Sequence, residues 1–423
     1  MGAFFGKLAS TTSLPALLAK RTGAALLGSA IYTEAPGRWQ ISFTDRVDAP
    51  GDSVEGMTAK ANELIATQIR RAPEDGFWLH NRWKTPRPNW LLTRYKRGVF
   101  VPEGAVLQPF RIVIRASNWL GDAVMSVPAV RAIKRARPDA HITILTPEKI
   151  AAVWRLLPEV DEVLSLGKMS LPAVRAVLRR QAPFDTGVIF PNSLRSAFEL
   201  WLGGVPRRVG YSGHQRGWLL NQLVKPIERQ GPPPHQVEHY LDLARSLGAQ
   251  PSVGGIAISD ARPAKPAARY GLCPGAEYGP AKRWLPQRFA ETAAAIGGHW
   301  TLFGTSKDSA VGEEIAAALG DAGTNRIGLT TLGELIDELR ECALLLTNDT
   351  GTMHLATLLG VPVVAVFGST EPRLTGPLGS RNIVVRHQVE CSPCFLRECP
   401  LDFRCMKVVT SAEVVEKIAA LRG

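Results

Sequence analysis

Leu344-Leu345-Leu346-Thr347-Asn348-Asp349-Thr350-Gly351-Thr352-Met353-His354 is the stretch on which the fold turns. An apolar run suited to a buried strand breaks into small polar residues, as happens where a strand hands over to a helix. The first amides of a helix have no partner within it, and Asp349 or Thr350 can cap them. The amides of Gly351 and Thr352 remain for an anion, which the positive end of the helix dipole also attracts. The helix is predicted to run to about Leu359 with Gly360 closing it, and Val361-Pro362-Val363-Val364-Ala365-Val366-Phe367 reads as the next buried strand. Strand, phosphate turn, helix and strand is the unit of nucleotide-binding α/β domains. The same residues also make an ordinary turn capped by Asp349, so the reading needs a second, independent unit.

That unit is upstream. Arg111-Ile112-Val113-Ile114-Arg115-Ala116-Ser117 reads as a strand, and Asn118-Trp119-Leu120-Gly121-Asp122 as the turn into a helix carrying Ser126, Pro128 and Arg131. Two Rossmann-like halves follow. Leu120-Gly121-Asp122, the loop Pro274-Gly275-Ala276-Glu277-Tyr278-Gly279-Pro280-Ala281-Lys282-Arg283-Trp284, and Asn348-Asp349-Thr350-Gly351 with His354 together resemble the family 9 glycosyltransferases over residues 109–423. The resemblance implies an α/β chain of the GT-B architecture, with two Rossmann-like domains facing a cleft. It also implies an inverting transfer of L-glycero-D-manno-heptose from ADP-heptose to the first heptose of the lipopolysaccharide inner core. Another heptose position or another sugar within the family is the alternative, and a nonenzymatic lipid A-binding scaffold is the reading from a different class.

Composition is that of a globular chain, 45% hydrophobic and 21% charged, with no apolar run of the length that spans a bilayer. Lys7, Lys20 and Arg21 interrupt the short apolar stretches at the N-terminus, so no signal-peptide core forms and a cytoplasmic location is the expectation. The net charge of +12 favours anionic surfaces without choosing among them. Its densest block is Arg82, Lys84, Arg87, Arg94, Lys96 and Arg97, interleaved with Trp83, Trp90 and Tyr95. Cations beside interfacial aromatics suit the surface of an anionic membrane, and they also suit single-stranded nucleic acid or a solvated linker. No nucleic-acid-binding module is legible, so nucleic acid is not expected as a partner.

Residues 1–100 differ in character. Phe4-Phe5-Gly6-Lys7-Leu8-Ala9-Ser10-Thr11-Thr12, the stretch around Lys20-Arg21-Thr22-Gly23, and Pro73-Glu74-Asp75-Gly76-Phe77-Trp78-Leu79-His80 resemble the C-terminal part of the lipid A lauroyl/myristoyl acyltransferases. That family's catalytic signature is a His followed five positions later by Asp. His80 is followed five positions later by Thr85, so the proton acceptor is missing and the segment is expected to be an inactive remnant, which either docks to membrane or lipid A or stems from a wrongly chosen start codon. The expected organisation is therefore 1–100 remnant, 98–109 linker, 110–260 acceptor domain, a Pro-rich hinge at 261–267, and 268–423 nucleotide-sugar domain. A final helix is predicted at 411–421, and the resemblance implies that it packs back onto the first domain.

Asp122 follows a strand end where open α/β sheets place ligands. A carboxylate there can take the proton of an attacking hydroxyl or simply cap the helix, and the resemblance makes it the base. Lys282 can meet charge on a departing diphosphate or stand solvated in its loop. No Asp-x-Asp occurs in the chain, so no metal or other cofactor is expected for catalysis. For the donor, the resemblance points to Gly275, Trp284, Gly304, Ser306, Asp349, Thr350, Gly351, Thr352 and His354, the last facing either nucleotide or core. For the acceptor it points to Asn192, Ser193, Arg195 and Arg208, with Arg207 and Arg216 nearby, since arginine matches phosphate geometrically. His235 and Glu238 read as a helical pair that caps or braces. Cys391, Cys394, Cys399 and Cys405 are close enough in sequence to hold a structural zinc ion or to remain free thiols.

Overall fold

The computed structural model describes residues 2–76, 83, 100–101, 104, 106–181, 183–227, 229–252, 256–258 and 269–422. Most of the basic aromatic block, His80 and the Pro-rich hinge lie outside the described residues. The chain divides into two compact units, one made of residues 1–111 with 133–141 and 246–249, the other of the remainder.

The first unit opens with β1 (Gly2–Phe4) and β2 (Lys7–Ala9), an antiparallel pair, followed by α1 (Leu14–Thr22), which Gly23 ends at φ +70. A hairpin of β3 (Ser29–Ala35) and β4 (Arg38–Phe43) precedes α2 (Val54–Arg71), whose first turn is capped by the Ser53 side chain accepting from the Gly56 amide. Pairing of Ile31 with Ile41, Ser29 with Phe43 and Thr33 with Trp39 places these six side chains on one face of the hairpin. Ile31, Trp39, Ile41 and Phe43 are 59%, 62%, 59% and 72% exposed, whereas Tyr32 on the opposite face is buried.

The other unit carries two parallel sheets. The first is formed along β5 (Phe110–Arg115), α3 (Leu120–Ala136), β6 (Ala140–Pro147), α4 (Ala151–Arg155), β7 (Glu162–Leu166), α5 (Leu171–Gln181), β8 (Thr186–Ile189), α6 (Leu194–Leu202), β9 (Arg208–Tyr211), β10 (Gln222–Val224) and α7 (Val237–Ser246). The second runs through β11 (Arg269–Cys273), α8 (Pro286–Ile296), β12 (His299–Leu302), α9 (Ser309–Leu319), β13 (Gly323–Asn325), α10 (Leu332–Arg340), β14 (Leu345–Asn348), α11 (Gly351–Leu358), β15 (Val363–Val366), α12 (Pro372–Thr375), β16 (Asn382–Val385), α13 (Arg404–Lys407) and α14 (Ser411–Arg422). The spatial orders are β10-β9-β8-β5-β6-β7 and β13-β12-β11-β14-β15-β16. Counted from its own first strand, each sheet reads 3-2-1-4-5-6, the order of dinucleotide-binding domains, whose ligands lie beyond the strand ends where the order reverses. Those reversals fall between β5 and β8 and between β11 and β14.

The predicted strand, turn, helix and strand around Asp349 is present as β14, α11 and β15, with Gly360 at φ +78 ending the helix. β14 and β15 are buried along their whole length, as expected of central parallel strands. One expectation is corrected. The final helix α14 stays with the second sheet: Val414 and Ile418 join the core formed by Trp284, Phe289, Trp300 and Leu346. α14 packs against α8, whose Phe289 and Ala293 share that core.

Candidate functional site

Both reversal points end in helix starts, and these face each other. A side chain at Gly121 on α3 would meet Cδ2 of His354 at 3.1 Å, and one at Gly351 on α11 would meet Cβ of Leu120 at 3.0 Å. Only glycine lets the two backbones come so close without displacing a neighbour.

On the α3 side, the buried Arg115 bonds Glu199 at 2.6 Å and Asn118 at 3.0 Å, which fixes the turn between β5 and α3. Asp122, in the first turn of α3, is half-buried. Its Oδ1 accepts a hydrogen bond from the Tyr240 hydroxyl at 3.0 Å. Burial pushes the Asp122 carboxyl above the usual carboxylate range, and the Tyr240 bond opposes that rise. A carboxylate more basic than usual is suited to accepting a proton.

On the α11 side, the Thr350 hydroxyl caps the helix by accepting from the Met353 amide at 3.3 Å. Asp349 is buried beside it, with Oδ2 accepting from Lys282 Nζ at 2.5 Å and from Thr370 Oγ1 at 2.8 Å. Gly275, Gly304, Ser306, Thr350 and Thr352 line a cavity of about 380 Å³ at the ends of the second sheet's strands. Gly275 leaves room for a neighbour's carboxylate rather than for ligand alone, since a side chain there would lie 2.4 Å from Asp308. Asp308 in turn pairs with Arg283 at 2.8 Å and bonds the amide of Thr305 at 3.1 Å, holding the turn after β12.

His354 sits between the two helix starts, 3% exposed, and burial lowers its pKa to about 4. It is therefore a neutral imidazole near pH 7, and its buried Nδ1 has no hydrogen-bond partner among the described residues. His235 and Glu238 brace rather than catalyse. His235 Nδ1 accepts from the Val237 amide at 3.1 Å and Nε2 bonds Gly376 O at 3.0 Å, while Glu238 pairs with Arg229 and Arg245.

One predicted donor residue is corrected. Trp284 is 1% exposed in the core, with Nε1 donating to Val409 O at 3.2 Å. Its contribution is its amide, which donates to Asn348 Oδ1 at 2.9 Å while Asn348 Nδ2 donates to Pro274 O at 2.7 Å, so Asn348 ties the Pro274 loop to β14. Arg208 spends its guanidinium on the carbonyls of Leu219 and Val205, both at 2.6 Å, and Arg216, fully buried, does the same with Tyr211 and Pro191. The Arg216 guanidinium, committed at all three nitrogens, is not free for a phosphate, whereas Arg208 is only half-buried. Of the acceptor set, Asn192, Ser193 and Arg195 are exposed at the start of α6, where Ser193 caps the helix and Arg195 pairs with Glu199 at 3.1 Å. Cys391, Cys394, Cys399 and Cys405 are free thiols, and among the described residues no three His, Cys, Asp or Glu side chains are grouped so as to hold a metal ion.

Several site residues escaped sequence reasoning. Gly328, Thr330 and Thr331 line the cavity, and Thr331 begins α10 in a capping box with Glu334. That Thr-x-x-Glu spacing is legible and could have marked a helix start at the site. Tyr240 and Thr370 carry no local signal, because each meets its aspartate only through the fold.

The match to known proteins agrees with this geometry. The family model described as glycosyltransferase family 9 (heptosyltransferase) matches residues 173–403, and that of bacterial lipid A biosynthesis acyltransferase matches residues 2–85. Lipopolysaccharide heptosyltransferase 2 of Escherichia coli is 30% identical over 312 residues, covering 65% of this chain and 88% of that protein. The Salmonella typhimurium protein of the same name is 31% identical over 307 residues, with the same coverage of both chains. The solved structure of E. coli ADP-heptose LPS heptosyltransferase II superposes with a TM-score of 0.60 at 30% identity, covering 74% of this chain and 98% of that one. A family 9 glycosyl transferase from Veillonella parvula shares the fold at a TM-score of 0.62 and 22% identity, covering 74% and 96%. With two doubly wound sheets, facing helix starts and a family model spanning more than half its length, this chain belongs to glycosyltransferase family 9, the heptosyltransferases.

Proposed function

We propose that the chain transfers L-glycero-D-manno-heptose from ADP-heptose to the first heptose of the lipopolysaccharide inner core, with inversion at the anomeric carbon. The observation that carries the reading is the opposition of the two helix starts, with Asp122 on one and the strand-end cavity reaching the other through Thr350 and Thr352. Asp122 takes the proton of the acceptor hydroxyl as its oxygen attacks the anomeric carbon. The bond from that carbon to the diphosphate oxygen breaks on the opposite face, and ADP departs. A diphosphate at the start of α11 meets the unpaired amides there and competes with Asp349 for the Lys282 ammonium. Those groups meet the leaving-group charge, and with no Asp-x-Asp in the chain the reading assigns catalysis no metal.

The acceptor is lipid-linked, and the reading places the enzyme on the cytoplasmic face of the inner membrane in peripheral contact with anionic lipid. Among the described residues no helix is long and apolar enough to cross a membrane. The exposed Ile31, Trp39, Ile41 and Phe43 and the basic block between Arg82 and Arg97 support surface contact. Residues 1–100 serve attachment rather than acyl transfer in this reading, since the His-x4-Asp pair is missing.

The test is mass spectrometry of products after incubation with ADP-heptose and inner-core acceptors bearing no, one or two heptoses. A gain of one heptose on the singly substituted acceptor alone is the expected outcome. A gain on the bare acceptor or only on the doubly substituted one reassigns the position, and no gain on any rejects heptose transfer to the inner core.

A further inference from the structure

We propose that Tyr240 is a positioning residue for the general base: its phenol holds one oxygen of the Asp122 carboxylate so that the other is presented to the acceptor hydroxyl. The inference rests on the reading of Asp122 as the base. A carboxylate offers two equivalent oxygens and rotates between them, whereas proton transfer in step with attack needs one of them in a fixed place. Tyr240 breaks the equivalence by donating to Oδ1 at 3.0 Å.

The direction of that bond is determined. A phenol has one proton, so with Tyr240 donating to Asp122 the contact of 3.2 Å between Ser117 Oγ and the Tyr240 oxygen has Ser117 as donor. The chain Ser117 to Tyr240 to Asp122 therefore ends on the carboxylate. Tyr240 is 3% and Ser117 6% exposed, and burial raises the phenol's pKa far above its ordinary value, so it remains a donor throughout the working pH range. Its ring is held edge-on by Phe190 at 5.3 Å and by His239 at 5.5 Å.

The mounting of Tyr240 ties this arrangement to the second sheet's domain. Just before α7, the Gln236 amide donates to Leu374 O at 2.8 Å, and His235 Nε2 bonds Gly376 O at 3.0 Å. Tyr240 lies one turn into the helix that starts there. The base on one domain is thus aimed by a side chain whose helix is pinned to the other, so the aim depends on the two being in register.

Other groups around Asp122 do not replace this role. From α11 the buried His354 lies against the adjacent Gly121 and is neutral, and Lys149 sits over the Trp119 ring, 4.9 Å from its centroid, before the start of α3. Tyr240 from α7 is the group that bonds the carboxylate itself, and a bond to the charged form favours ionisation.

The experiment is the pH profile of heptose transfer by Tyr240→Phe, which keeps the ring and removes only the oxygen, run beside Asp122→Asn. The expected result is a fall in kcat of roughly ten- to a hundredfold, the scale of a misplaced catalytic group, with the KM for ADP-heptose unchanged. The acidic limb of the profile should move to higher pH, because the carboxylate has lost a donor. Full kcat with an unmoved limb, in a background where Asp122→Asn is inactive, overturns the positioning role and leaves the base intact. Near-normal turnover by Asp122→Asn overturns the base reading and this inference with it. Should Tyr240→Phe fail to fold, the double variant Ser117→Ala with Gln236→Leu, which removes both side-chain donors to the phenol, should move kcat and the limb in the same directions by a smaller amount, and no movement overturns the proposal.

Discussion

The helix starts after β5 and after β14 present the same backbone and opposite chemistry. Each carries a glycine at the closest approach, Gly121 or Gly351, and each directs unpaired amides and the positive end of a helix toward the other. At α3 the chain supplies its own anion, Asp122, within the first turn. At α11 it supplies the hydroxyls of Thr350 and Thr352 and no acid in the first turn, leaving the positive end for a ligand's charge. The acid beside α11, Asp349, precedes the cap and is already bonded to Lys282 and Thr370, whereas Asp122 stands within the first turn of α3. The difference polarises the space between them, with a carboxylate on one side and hydroxyls beside Lys282 on the other, the arrangement that the proposed displacement with inversion uses.

Removing the charge from one side tests this most severely. Asp122→Asn should lower transfer by about a hundredfold or more, the usual scale for loss of a general base, while ADP still binds. Titration calorimetry with ADP and a turnover assay separate the two effects, and near-normal turnover would abolish the distinction between the helix starts. Lys282→Ala works on the other side and should have a smaller effect, roughly tenfold in both donor affinity and kcat, because the charge it meets is present in bound donor and grows as ADP departs. A rate unchanged at saturating donor would confine Lys282 to binding.

The smallest effect concerns stability. Burial holds the His354 pKa at about 4, below its ordinary 6.5, so the unfolded chain takes up a proton that the native form refuses. The stability contributed above pH 6.5 is lost as pH falls toward 4. His354→Asn should therefore flatten the decline of Tm across that interval, and a decline as steep as in the parent protein would mean that His354 does not titrate as its burial requires.

What could be read in the sequence was local. The apolar runs that break at Ser117 and at Asn348, and the glycine that ends α11, announce themselves through neighbours in the chain. Gly275, Gly304, Ser306, Thr350 and Thr352, which line the cavity, are named there by the family resemblance, and their motifs stand at the strand ends where a doubly wound sheet gathers ligands. Tyr240 could not be foreseen, since its aspartate is 118 positions away. Trp284, which the resemblance assigns to the donor, lies in the core, and a loop's composition does not show which of its side chains pack inward. Arg216 misled because a guanidinium serves loop carbonyls as readily as phosphates, and only the folded loop shows which. The final helix misled for a different reason: an apolar stripe states that a helix packs, not against what.

The spacing between the two helix starts is set by two missing methyl groups. A methyl at Gly121 would press on the His354 ring from 3.1 Å and one at Gly351 on Leu120 from 3.0 Å, so in either case the neighbour must yield by a few tenths of an ångström. Such a group acts as a wedge at the throat of the molecule. It changes no charge and removes no hydrogen bond, yet it parts two helix starts whose closeness those two hydrogens allow.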